Sequence, residues 1–284
     1  MKLSQTRIAI TLAVLVVTSS GCGLINRIRA KNELNEAART YREGHFDEAE
    51  QHSRRALELD PNSKSAPSFI ARTIHAQYRP GVQSPENVAK ANEAIQAYQQ
   101  ILQKDPKNEE AYKAIAYLYG ATKDEDKLRS WISARANDAS VEPAKRAEAY
   151  IVLASKDWDC SFKITELPAN KTTTLNEGNR ASVAYKKPTD QKEFDSAQAC
   201  VKRGLEEIEN AIKLDPNSES AWSYKTNLLL EAKKLAEMDG KTDQVAALDK
   251  QREVAQKRTM ALSEANQKKK EAEEAKQAAS PAKR

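Results

Sequence analysis

Three times in this chain an apolar run is closed by the same short polar element. Ala49, Ala56-Leu57 and Leu59 lead into Asp60-Pro61-Asn62. Ala94 and Ile101-Leu102 lead into Asp105-Pro106-Lys107-Asn108, and Ala211-Ile212 and Leu214 lead into Asp215-Pro216-Asn217. In each, apolar residues recur at three- and four-residue steps, the spacing of one buried helix stripe. Proline cannot continue a helix and restricts the residue before it, so each element predicts a helix end. With only 8 Gly and 10 Pro in 284 residues the chain has too few breakers for a sheet-rich fold, and at 31% charged and 39% hydrophobic it carries too much charge for one thick core. A thin layer of helices with large solvent-facing surfaces fits that balance.

Tyr41, Gly44, Phe46, Ala49, Ala56 and Pro61 in the first copy, Tyr112, Ile115, Ala116 and Tyr119 in the third, and Trp222 after Ser220-Ala221 carry a further pattern. Together they resemble the tetratricopeptide repeat, a helical hairpin with a period of about 34 residues. Lys225, where an apolar residue is expected, and Leu128, in place of a small Ala, depart from it. Pro61 and Pro106 are 45 residues apart, one period plus about 11, which fits the breaker cluster from Arg79 to Pro85. Pro106 and Pro216 are 110 apart, two periods plus about 42. The resemblance therefore implies an all-α, superhelical solenoid of antiparallel helix pairs over residues 31–248, interrupted by a long irregular or hairpin insertion at 159–192. Within the insertion Phe162 and Ile164, then Val183 and Tyr185, alternate as the strands of a small hairpin would.

One helical hairpin cannot bury its stripe alone, so neighbours stack and the first helices line a concave face. The repeat register places Leu34, Tyr41 and Arg42 on that face, then Arg72 and His75, then Lys113 and Tyr117, and finally Asn227. Such basic and aromatic groups suit an extended peptide of acidic character.

The amino terminus has the plan of a secretory signal at residues 1–21. Lys2 and Arg7 precede an apolar run from Ile8 to Val17, followed by Thr18-Ser19-Ser20-Gly21-Cys22. Ten residues fall well short of the about 20 that a spanning helix needs. The end of this leader resembles a bacterial lipobox in Ser20-Gly21-Cys22, with Ser19 where that motif usually has Leu. The resemblance implies cleavage after Gly21, a diacylglycerol on the Cys22 thiol, a linker over 22–30 and, with Gly23 rather than Asp next, delivery to the outer membrane facing the periplasm. An ordinary signal peptide with an incidental cysteine is the plainer alternative.

If Cys22 is lipidated, Cys160 and Cys200 remain. An even pair in an oxidising compartment reads as a disulfide, with two buried thiols as the other reading. Residues 249–284 form a Lys-, Glu-, Ala- and Gln-rich tail, a solvated helix or disordered end, with no sustained apolar stripe after Leu262.

The sequence holds no Gly-rich phosphate loop, no Gly-x-Ser-x-Gly elbow and no Cys-x-x-Cys, and only three histidines. No enzyme, no cofactor, no metal and no small-molecule substrate is expected, and a net charge of +5 does not suggest nucleic acid. The expected function is a lipid-anchored scaffold or adaptor that binds protein segments in an outer-membrane assembly or secretion complex. The alternative is a cell-envelope structural protein that contacts peptidoglycan or lipid through its tail and insertion.

Overall fold

The structure is a computed structural model; it describes residues 3–175 and 181–279, with side chains from 23 to 175 and from 182 to 276. The leader's apolar side chains and the lipid position at Cys22 therefore lie outside the described residues, as does the end of the tail. Among the described residues no helix is long and apolar enough to cross a membrane. The backbone is all-α apart from one hairpin, and it divides into two compact units at residues 128 and 129.

The first unit is built from α1 (Leu3–Arg42), α2 (Phe46–Leu59), α3 (Ala66–Gln77), α4 (Pro85–Lys104) and α5 (Glu109–Ala121), and α6 (Glu125–Asn137) begins in it. From α1 to α5 each helix packs against its neighbours in sequence, the pattern of a solenoid of antiparallel pairs. Helix α1 runs through residues 22–30, the expected linker. Ala37, Ala49, Ala56, Ala66, Ala71, Ala91 and Ala94 are fully buried at the contacts, and such small side chains let the helices approach closely. Gly44 turns α1 into α2 at φ +85°, a left-handed conformation that glycine adopts without strain.

The three Asp-Pro elements share one geometry. Asp60, Asp105 and Asp215 cap their helices at φ between −138° and −133°, with each cap N–H donating to the carbonyl four residues back. Each aspartate side chain then accepts from the N–H two residues on, in Asn62, Lys107 and Asn217. The residue after this turn starts the next helix, with Asn108 accepting from the Ala111 N–H and Ser218 from the Ala221 N–H. One tetrapeptide thus ends one helix and launches the next.

The second unit contains α7 (Pro143–Thr165), α8 (Gln191–Leu214), α9 (Glu219–Met238) and α10 (Thr242–Ala279). Helix α7 lies along α8, both touch α9, and α10 runs along the other side of α9. Between α7 and α8 a 3-10 turn, Pro168–Asn170, leads into an antiparallel hairpin of β1 (Lys171–Leu175) and β2 (Ala181–Tyr185). The expected hairpin is therefore half displaced. Val183 and Tyr185 are in a strand, but Phe162 and Ile164 belong to α7, and the excursion spans 166–190 rather than 159–192. The reason lies on the buried face of α7, where Asp157, Ser161 and Thr165 recur every four residues and are buried. A helix whose inward stripe is polar shows no apolar period, and the short alternation at Phe162 and Ile164 stood out instead.

Those polar groups all have partners. Ser161 and Thr165 hydroxyls donate to Glu231 of α9, at 3.0 and 2.7 Å. Lys234, one turn further, bridges Glu231 and Glu166. Burial alone would raise the Glu166 carboxyl, but hydrogen bonds from Lys171, Lys234 and Tyr185 outweigh it and hold the group at about 2. This cluster ties the hairpin to α7 and α9. Asp157 accepts from Arg129 and Arg203, and Arg129 also reaches Glu207. Cys160 and Cys200 form a disulfide between α7 and α8, with Cα atoms 6.2 Å apart. Helix α10 starts at Thr242, before the expected tail boundary, and docks through Ala255 and Leu262 with Arg258 on Asn217 and Asn266 on Glu219.

Candidate functional site

Four of the expected binding residues of the first unit meet at one cavity. Tyr41 at the end of α1, Arg72 and His75 one turn apart on α3, and Tyr117 on α5 line a space of about 280 Å³. Ala76, Tyr78 and Pro80 from the end of α3 and its loop, and Tyr98 from α4, complete the wall. The other expected positions do not line it. Arg42 and Lys113 are exposed beside it in sequence, Leu34 packs on the core of Ala30, Ala56 and Ala66, and Asn227 lies half-buried on α9 in the second unit.

The local sequence explains how the cavity is held. The breaker cluster between α3 and α4 is fixed by buried Asn87, whose carbonyl accepts from the Arg79 N–H while its amide donates to the Arg79 and Val82 carbonyls. This places Tyr78 and Pro80 at the edge of the rings. Tyr41 rests edge-on against Phe46, with centroids 5.2 Å apart. His75 meets the Tyr98 ring at a right angle and the Tyr117 ring at a tilt of 34°, with centroids 5.9 and 5.5 Å away. Such offset and edge contacts suit the ring quadrupoles.

The charges of the site are internally matched. Arg72 holds Glu110 of α5 with both prongs of its guanidinium, Nε on one carboxylate oxygen and Nη2 on the other. That bond raises the Arg72 pKa and lowers that of Glu110, so both stay ionised as a pair. Burial lowers the His75 pKa, which keeps the ring neutral at pH 7. Burial, with the Glu110 charge adding, pushes the Tyr98 hydroxyl up to about 12. Tyr78 is likewise raised, first by burial. Both hydroxyls therefore keep their protons.

One group in the wall is left without a partner. Tyr78 is only 4% exposed, and among the described residues its hydroxyl has no hydrogen bond. A buried O–H with no acceptor is destabilising by about 1–3 kcal/mol, so an acceptor that reached Tyr78 at this wall would be favoured. The register of first helices gave Tyr41, Arg72, His75 and Tyr117. It missed Tyr98 on a second helix, Tyr78 and Asn87 in the loop, and Glu110, whose role depends on Arg72. The breaker cluster right after Tyr78 was the available signal for that wall. His52 of α2 pairs with Glu33 of α1 at 2.6 Å. Among the described residues no group of three or more His, Cys, Asp or Glu is placed to hold a metal ion.

Compared with known families, residues 201–232 match the model of the protein prenyltransferase alpha subunit repeat. That stretch covers the end of α8 and most of α9, one turn-linked helix pair. No curated protein matches the chain. Among solved structures it is similar to the MamA fragment 41-end from Desulfovibrio magneticus RS-1, at 16% identity and TM-score 0.38, covering 84% of this chain and 96% of that one. It is similar also to a tetratricopeptide repeat protein from Parabacteroides merdae ATCC 43184, at 14% identity and TM-score 0.35, covering 82% and 90%. Scores of this size mark a loose likeness, and the fold is assigned from the helix packing itself.

Proposed function

We propose that this protein is a scaffold that holds other proteins through the aromatic cavity of its first unit. The observation that carries this reading is the wall of four tyrosines and a neutral histidine with one buried, unpartnered hydroxyl. Aromatic side chains present large, stiff contact area at low entropy cost, which favours capture of a partner's side chain.

The protein is tethered by lipid at Cys22 and faces the periplasm from the outer membrane, within an assembly or secretion complex. The Ser20-Gly21-Cys22 ending supports the tether, and the Cys160–Cys200 bond supports an oxidising compartment. Several acyl chains would anchor it stably, each buried methylene adding about 0.8 kcal/mol.

A photo-crosslinking residue placed at exposed Tyr117 in the full chain tests the scaffold in living cells. The expected outcome is one recurrent protein adduct that disappears when Tyr41 is also changed to Ala. Adducts that ignore Tyr41→Ala would remove the cavity from the reading. Metabolic labelling with a fatty-acid analogue tests the tether, and signal retained in Cys22→Ser would rule it out.

A further inference from the structure

We propose that the occupant of this cavity is a proline-bearing segment of the partner protein, bound in the extended polyproline II conformation. The inference rests on the protein-binding reading above and names the chemistry of what binds.

Charge narrows the choice first. The expected acidic peptide needs an available cation, but Arg72 already grips Glu110 with both prongs. An arriving carboxylate would have to displace Glu110 or lie beside it, and like charges at such range repel. A cationic side chain would instead meet the Arg72 guanidinium at the cavity wall. His75 is neutral and adds no preference for either sign. A neutral ligand is favoured.

The surfaces that remain are ring faces and hydroxyls. Tyr41 and Tyr117 are 37% and 51% exposed, so their rings are open to a ligand, while Tyr98 and Tyr78 sit deeper at 3% and 4%. A compact, saturated pyrrolidine ring packs well on such faces. Tyr78 also brings a buried O–H that lacks an acceptor. A polyproline II segment leaves its backbone carbonyls unpaired and pointing outward, and each proline has no N–H that would need an acceptor in return. Ring and carbonyl therefore meet tyrosine face and tyrosine hydroxyl together, the pairing that proline-reading grooves use in general. The space of about 280 Å³ lies below the usual range for whole small molecules, about 300–1,000 Å³. It suits one or two residues of a longer chain.

The test is a titration of the full-length protein in detergent, followed by calorimetry and by the tyrosine ring signals in NMR spectra. The probes are three neutral-ended peptides of equal length, about three turns of polyproline II. One is made of Pro and Ala, one of Gly and Ser, and one of Glu and Ala. Only the proline peptide is expected to bind, with shifts at Tyr41 and Tyr117. Tyr78→Phe removes one hydroxyl and should weaken it roughly five- to tenfold, and Tyr117→Ala should weaken it further. Unchanged circular dichroism shows that both variants fold, and loss of the unpartnered hydroxyl should raise the melting temperature of Tyr78→Phe.

Preferential binding of the glutamate peptide, lost in Arg72→Gln, would overturn the proline assignment and leave the protein-binding function standing. Proline binding that ignores both tyrosine changes would place it elsewhere and also overturn it. If no peptide binds but the Tyr117 crosslink to a partner persists in cells, the proline assignment falls alone. If the crosslink is absent too, both readings fall.

Discussion

At the scale of single residues, the second unit carries buried charges whose partners decide stability. Lys234 is the hinge of one cluster, since its ammonium lies between Glu166 and Glu231 with only 5% of its side chain exposed. Lys234→Met would leave Glu231 facing two hydroxyls and no cation, and removing one partner of a buried pair costs about 3–5 kcal/mol. Chemical denaturation should show a loss of that size, and a change under about 1 kcal/mol would mean the pair behaves as an exposed one. Glu207 works in the opposite direction. Burial, then the neighbouring Asp157 charge, pushes its carboxyl up to about 8. A folded pKa above the unfolded value means that folding takes up a proton. The stability it gives is complete below about pH 4.3 and declines as pH rises toward the folded value. Glu207→Gln keeps the oxygen that accepts from Arg129 but cannot ionise. Its stability relative to the parent should therefore improve between pH 5 and pH 8.5, by up to about 1.4 kcal/mol for each pH unit below the folded value, measured by thermal melts. No improvement would mean that Glu207 is ionised in both states. The partners Glu166 and Arg129 were not legible in the sequence, because they lie 68 and 78 positions from Lys234 and Glu207 and meet them only after the helices have packed.

At the scale of elements, what could be read and what could not divide by locality. The helix ends at Asp60, Asp105 and Asp215 were legible because each aspartate bonds to its own backbone two residues on, so the tetrapeptide contains the whole cause. Tyr41, His75 and Tyr117 were legible as a face because first helices repeat in register. Tyr98 and Asn87 were not, since one belongs to a second helix and the other acts on a loop eight residues away. The junction of α7, α8 and α9 shows the same limit. Gly204 in the middle of α8 is a poor helix former, worth about 1 kcal/mol less than Ala, and sequence alone would nominate it for replacement. Yet a Cβ there would stand 2.7 Å from Leu228 Cδ2 and 3.2 Å from Asp157 Cβ. Leu228 is fully buried and packs in the cluster of Ala154, Ile208 and Ala211, so it has little room to yield. Gly204→Ala should therefore destabilise by about 1–3 kcal/mol through overpacking, despite its better propensity. A denaturation midpoint above the parent's would show that Leu228 finds another rotamer at no loss.

At the scale of the whole molecule, the division at 128 and 129 and the single described disulfide make the two units respond differently to one perturbation. Cys160 and Cys200 join α7 to α8 across 40 residues, and closing a loop of that length removes unfolded-state entropy equivalent to about 4 kcal/mol in the chain-entropy model. The loop encloses the hairpin, whose two strands have few contacts beyond β2 on α9 and the Glu166 cluster. An isolated two-stranded hairpin is marginal in water, so it relies on those attachments. Helices α2, α3 and α4 belong to the first unit, whereas the loop closed by the disulfide lies wholly in the second. Reduction should therefore raise amide exchange in the hairpin and at the facing ends of α7 and α8, while α2 to α4 keep their protection. The aromatic cavity sits among the unaffected helices, so binding at Tyr78 and Tyr117 should survive reduction. Loss of protection across α2 to α4 on reduction would show that the units unfold as one, and the cavity would then depend on the redox state of its surroundings.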